Sequence, residues 1–356
     1  MIKVKAPGKL YIAGEYAVVE TGYPAILVAI NQFVHVTINK SDSIGSIVSK
    51  QYEENSIFWT REGNHMIFDN RDNPFHYILA GIKITEEYAQ ICNCKLDCYH
   101  LSVDSQLDSN DGKKYGLGSS AAVTVATVKG LCAYYNLPIT KEYLFKLAAI
   151  AHFEVQGNGS LGDIAASVYG GWLAYHSVNR EWLMLARQKY SLSTLLKMTW
   201  PDLNIKELTP PASLNLLIGW TGSPASTSQL VDAVSLTKAE KQQKYTAFLA
   251  ESKSCLNNMI NGFATKSLST IQRELKTNRR LLHDLGKISG LNIETPLLKE
   301  LITSAKSFGG AAKTSGAGGG DCGIIILNKN VDTSLLLAKW KELGIIPLNL
   351  KVHIIK

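Results

Sequence analysis

The sequence predicts an α+β fold in two domains, and three observations carry that reading. Ile2–Ala6 and Pro24–Asn39 are rich in Val and Ile at alternating positions, the period of half-buried strands. The C-terminal part holds long stretches of helical periodicity with few strands between them. Between the two regions Pro201, Pro210 and Pro211 make a continuous helix untenable. A chain of 356 residues is long enough for two domains. The break at residues 200–213 therefore suggests domains at 1–205 and 206–356. The mixture of hairpins and helices lacks the regular alternation of a βαβ repeat.

Taken in order, residues 7–22 form a glycine-punctuated connection between the first two strands, and residues 41–74 read as hairpins with polar turns. Phe75–Cys92 has helical spacing through Ile78, Leu79, Ile82, Ile84 and Tyr88, and Lys95–Val103 alternates like a strand. Ala121–Tyr135 is a strongly apolar helix. Lys141–Val155 is another, ending at Gly157, and an apolar helix is expected within Ile164–Tyr175. Past the break, Leu214–Trp220 reads as a buried strand. Helices follow at 236–264, 267–287 and 295–308, then strand Cys322–Leu327, helix Thr333–Leu343 and a terminal strand Ile346–Ile355.

Composition narrows the function classes. Hydrophobic residues make up 46% and charged residues 19%, which supports a sizeable core and argues against disorder. The net charge of +7 is dispersed over Lys3, Lys5, Lys9, Lys113, Lys114, Arg279, Arg280 and others. A nucleic-acid binder more often concentrates its cations in one stripe, whereas a dispersed excess suits small anions drawn into a cleft. No apolar leader and no run of 18 apolar residues is present, so neither secretion nor a membrane span is expected. Six cysteines do not suggest a disulfide framework, and the expected compartment is the cytoplasm. Cys92, Cys94, Cys98 and His100 cluster, but paired Cys-x2-Cys knuckles are absent and a zinc site is disfavoured.

Three glycine-serine loops carry the chemistry. Tyr115-Gly116-Leu117-Gly118-Ser119-Ser120-Ala121-Ala122 opens the helix near Ala121. Its glycines let the backbone approach a ligand, and a helix N-terminus with two hydroxyls and nearby Lys113 and Lys114 attracts phosphate. A serine-capped helix start is an equal reading of that segment alone. No Gly-x4-Gly-Lys-[Ser/Thr] motif occurs, which disfavours a P-loop nucleotidase. Gly157-Asn158-Gly159-Ser160-Leu161-Gly162-Asp163 places a carboxylate at a tight turn before a helix, either as a cap or facing a phosphate site. Lys313–Gly323 packs five glycines into the eight residues from Gly316 to Gly323 and runs straight into an apolar strand. That favours an anion-accommodating loop over a linker.

The three loops occur in the order characteristic of GHMP kinases, and the chain resembles that superfamily over essentially its whole length. Lys5-Ala6-Pro7-Gly8-Lys9-Leu10-Tyr11-Ile12-Ala13-Gly14-Glu15-Tyr16 resembles the first family motif, Gly116–Ala122 the second and Thr314–Gly323 the third. Together with Gly219-Trp220-Thr221 they are most similar to the bacterial phosphomevalonate kinase branch. The resemblance implies an N-terminal domain like ribosomal protein S5 domain 2, a ferredoxin-like C-terminal domain, and ligands in the cleft between them. It implies ATP and phosphomevalonate as substrates, in the mevalonate route to isoprenoids. Mevalonate kinase or another alcohol-acceptor member is the alternative. A non-catalytic sensor of this fold is a third reading, against which stand both Lys9 and Asp163.

The resemblance also assigns residues. Lys9 and Asp163 would be catalytic. Lys114, Gly116, Leu117, Gly118, Ser119, Ser120 and Ala121 would hold the nucleotide, with Ser120 near the Mg2+ of Mg·ATP. Lys9, Ser160, Ser315, Gly316, Ala317, Gly318 and Gly319 would face the acceptor. Thr227 and Ser228 are candidate phosphate or metal contacts, with a helix cap as the even competitor. One departure concerns the acidic magnesium ligand that mevalonate kinases carry on the helix before the catalytic aspartate. Glu154 is the only carboxylate in the last turns of that helix here.

Overall fold

The computed structural model describes residues 1–52, 56–68, 74–107, 115–222, 230, 232, 234 and 241–355. Among them the strands form two sheets. The first is built on β1 (Ile2–Ala13) and β2 (Pro24–Ser41), antiparallel from Ile2↔Ile38 to Ala13↔Ile26. The strand β1 is longer than the sequence predicts. A register shift between Pro7 and Lys9 absorbs the Pro-Gly pair as a bulge, and pairing resumes at Lys9↔Ala29. The first part of β2, Pro24–Ile30, is buried throughout, because helices of both halves of the chain pack against it. Its second part alternates, burying Val34, Val36 and Ile38.

Strands β3 (Gly45–Ser49), β4 (Ser56–Glu62) and β5 (His65–Phe68) continue the sheet beyond β6 (Cys98–Ser105), with β3 parallel to β6. The far half of β2 pairs with β6 and its near half with β7 (Trp172–His176). The C-terminal tail fills the fork between them. Asn31 N donates to Lys351 O and His353 N to Ala29 O, both at 2.9 Å. The expected terminal strand Ile346–Ile355 is thus split: β12 (Ile346–Leu348) pairs in the second sheet, and Val352 and Ile354 bridge to the first.

Helices α1 (His76–Ile91), α2 (Ser119–Tyr134), α3 (Lys141–Gln156) and α4 (Gly162–Tyr169) form the layer over this sheet. Thr140 Oγ1 caps α3 by accepting from Tyr143 N at 3.1 Å, and Gly157 ends it in the left-handed conformation. The apolar run Ile164–Tyr175 is not one helix. Gly170 and Gly171, both at positive φ, break it into α4 and β7. The elements α5 (Arg180–Lys189), α6 (Leu192–Lys197) and β8 (Asn204–Leu208) went unread in the sequence, as did the short strand Ala311–Thr314 of the second sheet. All five residues of β8 pair with β7, so the expected boundary at 205/206 falls inside a strand of the first sheet.

The second sheet orders as β10–β11–β9–β12, with β9 (Leu214–Trp220), β10 (Ala311–Thr314) and β11 (Cys322–Asn328), and every neighbouring pair is antiparallel. Helices α7 (Gln242–Ala264), α8 (Leu268–Ser289) and α9 (Pro296–Ala305) lie between β9 and β10, and α10 (Ser334–Glu342) precedes β12. This order is that of a ferredoxin-like βαββαβ unit with extra helices in its first crossover. No helix among the described residues is long and apolar enough to cross a membrane.

Candidate active site

The site is assembled along the outer edge of β1, whose unpaired backbone groups recruit the glycine loops. Lys9 N donates to Leu117 O at 2.8 Å, and Ser315 Oγ donates to Tyr11 O at 2.8 Å. The loop before α2 and the loop after β10 are thereby fastened to one strand, two residues apart. Gly8 sits in the bulge because there is no room for more: an added Cβ would lie 2.8 Å from Leu117 O. The bulge sets Lys9, whose Nζ donates to Gly116 O at 3.1 Å. The Lys9 stem packs across Gly118, which has φ +81°, and a Cβ at Gly118 would lie 2.8 Å from Lys9 Cε.

Around Lys9 opens a cleft of about 360 Å³. It is lined by Gly116–Ser120 from the second loop, by Ser160 and Asp163 before and in α4, and by Ser315–Ala317 and Asp321 from the third loop. The first-turn amides of α2 have no intrahelical acceptors, so this end of the helix favours anions. Asp163 lies in the first turn of α4, its Oδ1 accepting from Ile164 N at 3.0 Å. Ser160 Oγ lies 2.8 Å from Tyr11 Oη. Burial, helped by the Asp163 charge, holds the Tyr11 phenol well above its ordinary pKa, so it is a neutral hydrogen-bonding group.

The comparisons fit this arrangement. The family model described as GHMP kinases N terminal domain matches residues 76–171, and that described as GHMP kinases C terminal matches 259–346. The phosphomevalonate kinase of Streptomyces sp. (strain CL190) is 34% identical, covering 97% of this chain and 95% of that one. This chain belongs to the GHMP kinase family. The Lin0012 protein of Listeria innocua has a solved structure that superposes with a TM-score of 0.93 at 38% identity, over 99% of this chain and 98% of that one. The structure of Streptococcus pneumoniae phosphomevalonate kinase in complex with phosphomevalonate and AMPPNP superposes with a TM-score of 0.86 at 31% identity, over 99% of this chain and 100% of that one.

In this GHMP kinase the fold brings Lys9, Gly116, Leu117, Gly118, Ser119, Ser120, Ser160, Asp163, Ser315, Gly316 and Ala317 into one cleft. Ala121 is buried behind the loop. Gly318 and Gly319 face another way: Gly319 N donates to Ile293 O at 2.9 Å, and a Cβ on Gly318 would meet the same oxygen at 2.3 Å. They hold the loop against the body of the C-terminal half and do not line the cleft. Lys114, Thr227 and Ser228 lie outside the described residues. Glu154 is exposed and faces away, paired with Arg187 at 3.2 Å and Lys83 at 3.7 Å. Cys98 and His100 make local contacts, to Ser43 O at 3.3 Å and Ser46 Oγ at 2.9 Å. No three His, Cys, Asp or Glu side chains converge on a common point among the described residues.

Several lining residues escaped sequence reasoning. Tyr11, Glu15 and Tyr16 stand inside the first motif, and Asp321 inside the third, yet only the fold turns them inward. Asp321 carries a signal of its own, a non-glycine residue at φ 54° in a glycine-rich turn. Glu15 and Lys313 form a buried ion pair, 3% and 0% exposed, and Gly316 N donates to Glu15 Oε1 at 3.3 Å. Burial lowers the Lys313 ammonium from its ordinary pKa, opposed by the Glu15 charge. Tyr16 Oη donates to Ala317 O.

Proposed function

We propose that this chain is an ATP-dependent phosphomevalonate kinase, moving the γ-phosphoryl group of ATP to (R)-5-phosphomevalonate to give the 5-diphosphate and ADP. The observation that carries the reading is the cleft itself. In a chain 34% identical to a phosphomevalonate kinase along nearly its whole length, Lys9, Asp163 and three glycine loops converge on one cavity. Phosphoryl transfer asks a protein mainly for positioning and charge stabilisation. The acceptor is a phosphate monoester with a second pKa of about 6, so it is largely dianionic at neutral pH and needs little help from a base. Bringing two polyanions together is the harder task, and it falls first to Lys9. The second loop and the start of α2 cradle the ATP phosphates, Ser160 and Ser315–Ala317 face the acceptor, and Asp163 orients the reacting groups.

Magnesium fits the donors present. Ser120 and Asp163 offer hard oxygens to the cleft, and Mg2+ needs few protein ligands when phosphates supply the rest. Bound there, it would neutralise phosphate charge. We place the enzyme in the cytoplasm, in keeping with its six free cysteines. We place the domain boundary in residues 209–213, after β8 has paired with β7 and before β9 begins. A coupled assay of ADP release across phosphomevalonate, mevalonate, homoserine and galactose tests the assignment. Phosphomevalonate should be turned over far faster than the rest, and faster release with mevalonate would overturn the acceptor while leaving the family intact.

A further inference from the structure

Helix α3 turns a histidine, not a carboxylate, toward the second glycine loop. His152 and Gln156, one turn apart, share one face of the helix, and Gln156 lines the cleft, while Glu154 projects from the other side into its pairs with Arg187 and Lys83. His152 is 1% exposed, and its Nε2 lies 3.2 Å from Ser120 Oγ. Its ring stacks on Tyr77 with centroids 4.9 Å and planes 27° apart. Tyr77 and the same serine both line the cleft. His152 Nδ1 is buried with no partner. That imbalance selects a tautomer. A buried N–H without an acceptor is rarer and costlier than a bare lone pair, so the proton belongs on Nε2 and is donated to Ser120 Oγ.

We propose that His152 is a positioning residue for Ser120, donating from Nε2 into the serine oxygen to hold the hydroxyl in the rotamer that serves the nucleotide. This rests on reading the second loop as the ATP-phosphate site. A serine hydroxyl free to sample its staggered wells must be ordered when ligand arrives. Here His152 orders it beforehand, leaving its remaining hydrogen-bonding capacity to the cleft.

The test is titration of the full chain with AMPPNP and Mg2+, without acceptor, by calorimetry. His152→Phe keeps the ring on Tyr77 and loses the donor. It should weaken AMPPNP binding about three- to tenfold, the worth of one ordinary hydrogen bond. His152→Gln, whose amide N–H reaches as far as Nε2, should restore it. His152→Asn, equally polar but too short, should behave like the phenylalanine variant, and it carries the test if that variant folds poorly. In a Ser120→Ala background His152→Phe should add no further loss. In assays with acceptor, the KM for ATP should rise and that for phosphomevalonate should stay. Wild-type AMPPNP affinity in His152→Phe or His152→Asn, or losses that add to Ser120→Ala, would overturn the proposal. Failure of the wild-type chain to bind AMPPNP would instead overturn the nucleotide reading beneath it.

Discussion

Lys9 Nζ reaches the carbonyl of Gly116, and no ion pair within 4.0 Å links it to Asp163 among the described residues. The two groups therefore reach the cleft from separate anchorages, Lys9 from a strand bulge and Asp163 from the first turn of α4. If charge neutralisation dominates, Lys9→Met should lower kcat by about 10²–10³, the worth of one preorganised electrostatic contact, and by more than Asp163→Asn. A pH–rate profile separates the roles. The acidic limb should follow the acceptor phosphate near pH 6, about the second pKa of a phosphate monoester, and should persist in Asp163→Asn. Loss of that limb in Asp163→Asn, with Lys9→Met still active, would make Asp163 the base and reverse the order.

At the scale of an element, the second loop and α2 form one device. Gly118 is the N-cap of α2 in the left-handed conformation, and its bare Cα is the surface on which the Lys9 stem lies. Gly118→Val introduces two conflicts: a β-branched residue where φ is +81°, and carbon atoms where Lys9 packs. Left-handed backbone costs a non-glycine residue about 1–2 kcal/mol, which a domain with this much core can absorb. The variant should stay folded by circular dichroism and lose AMPPNP affinity by at least about tenfold, roughly 1.4 kcal/mol. Wild-type affinity in a folded Gly118→Val protein would reduce the loop to a helix cap. The glycine run of the third loop divides its labour in the same way, with Ser315–Ala317 at the cleft and Gly318–Gly319 pressed on Ile293.

Across the whole molecule, the two halves are joined beside the candidate cleft. The Glu15–Lys313 pair links the turn after β1 to the end of β10, beside the Tyr16–Ala317 and Ser315–Tyr11 bonds. Removing one partner leaves an uncompensated charge in a closed site, so Lys313→Met should destabilise the protein by about 3–5 kcal/mol in thermal or urea unfolding. Removing both, as Glu15→Leu with Lys313→Met, should recover most of that loss, since no lone charge remains buried. Unfolding of Lys313→Met at the wild-type midpoint would show that water reaches the pair. The C-terminal tail is a second tie, returning from the second sheet to complete hydrogen bonding in the fork of β2.

By itself the sequence determined the elements whose signal is local. Leu214–Trp220 appears with the predicted bounds, and α2, α3, α8 and α10 lie within a few residues of expectation, because hydrophobic period and punctuating glycines act on near neighbours. The glycine-serine loops were legible for the same reason, and with them most of the cleft. Tertiary structure decided what depends on partners distant in the chain. The bulge at Gly8 needs β2 beside it, the division of residues 346–355 between two sheets needs the fork in β2, and β8 exists as a strand because β7 offers it an edge. The same holds for direction. Glu154 and His152 are two residues apart on one helix, and only the packing of α3 against α2 decides which of them faces Ser120.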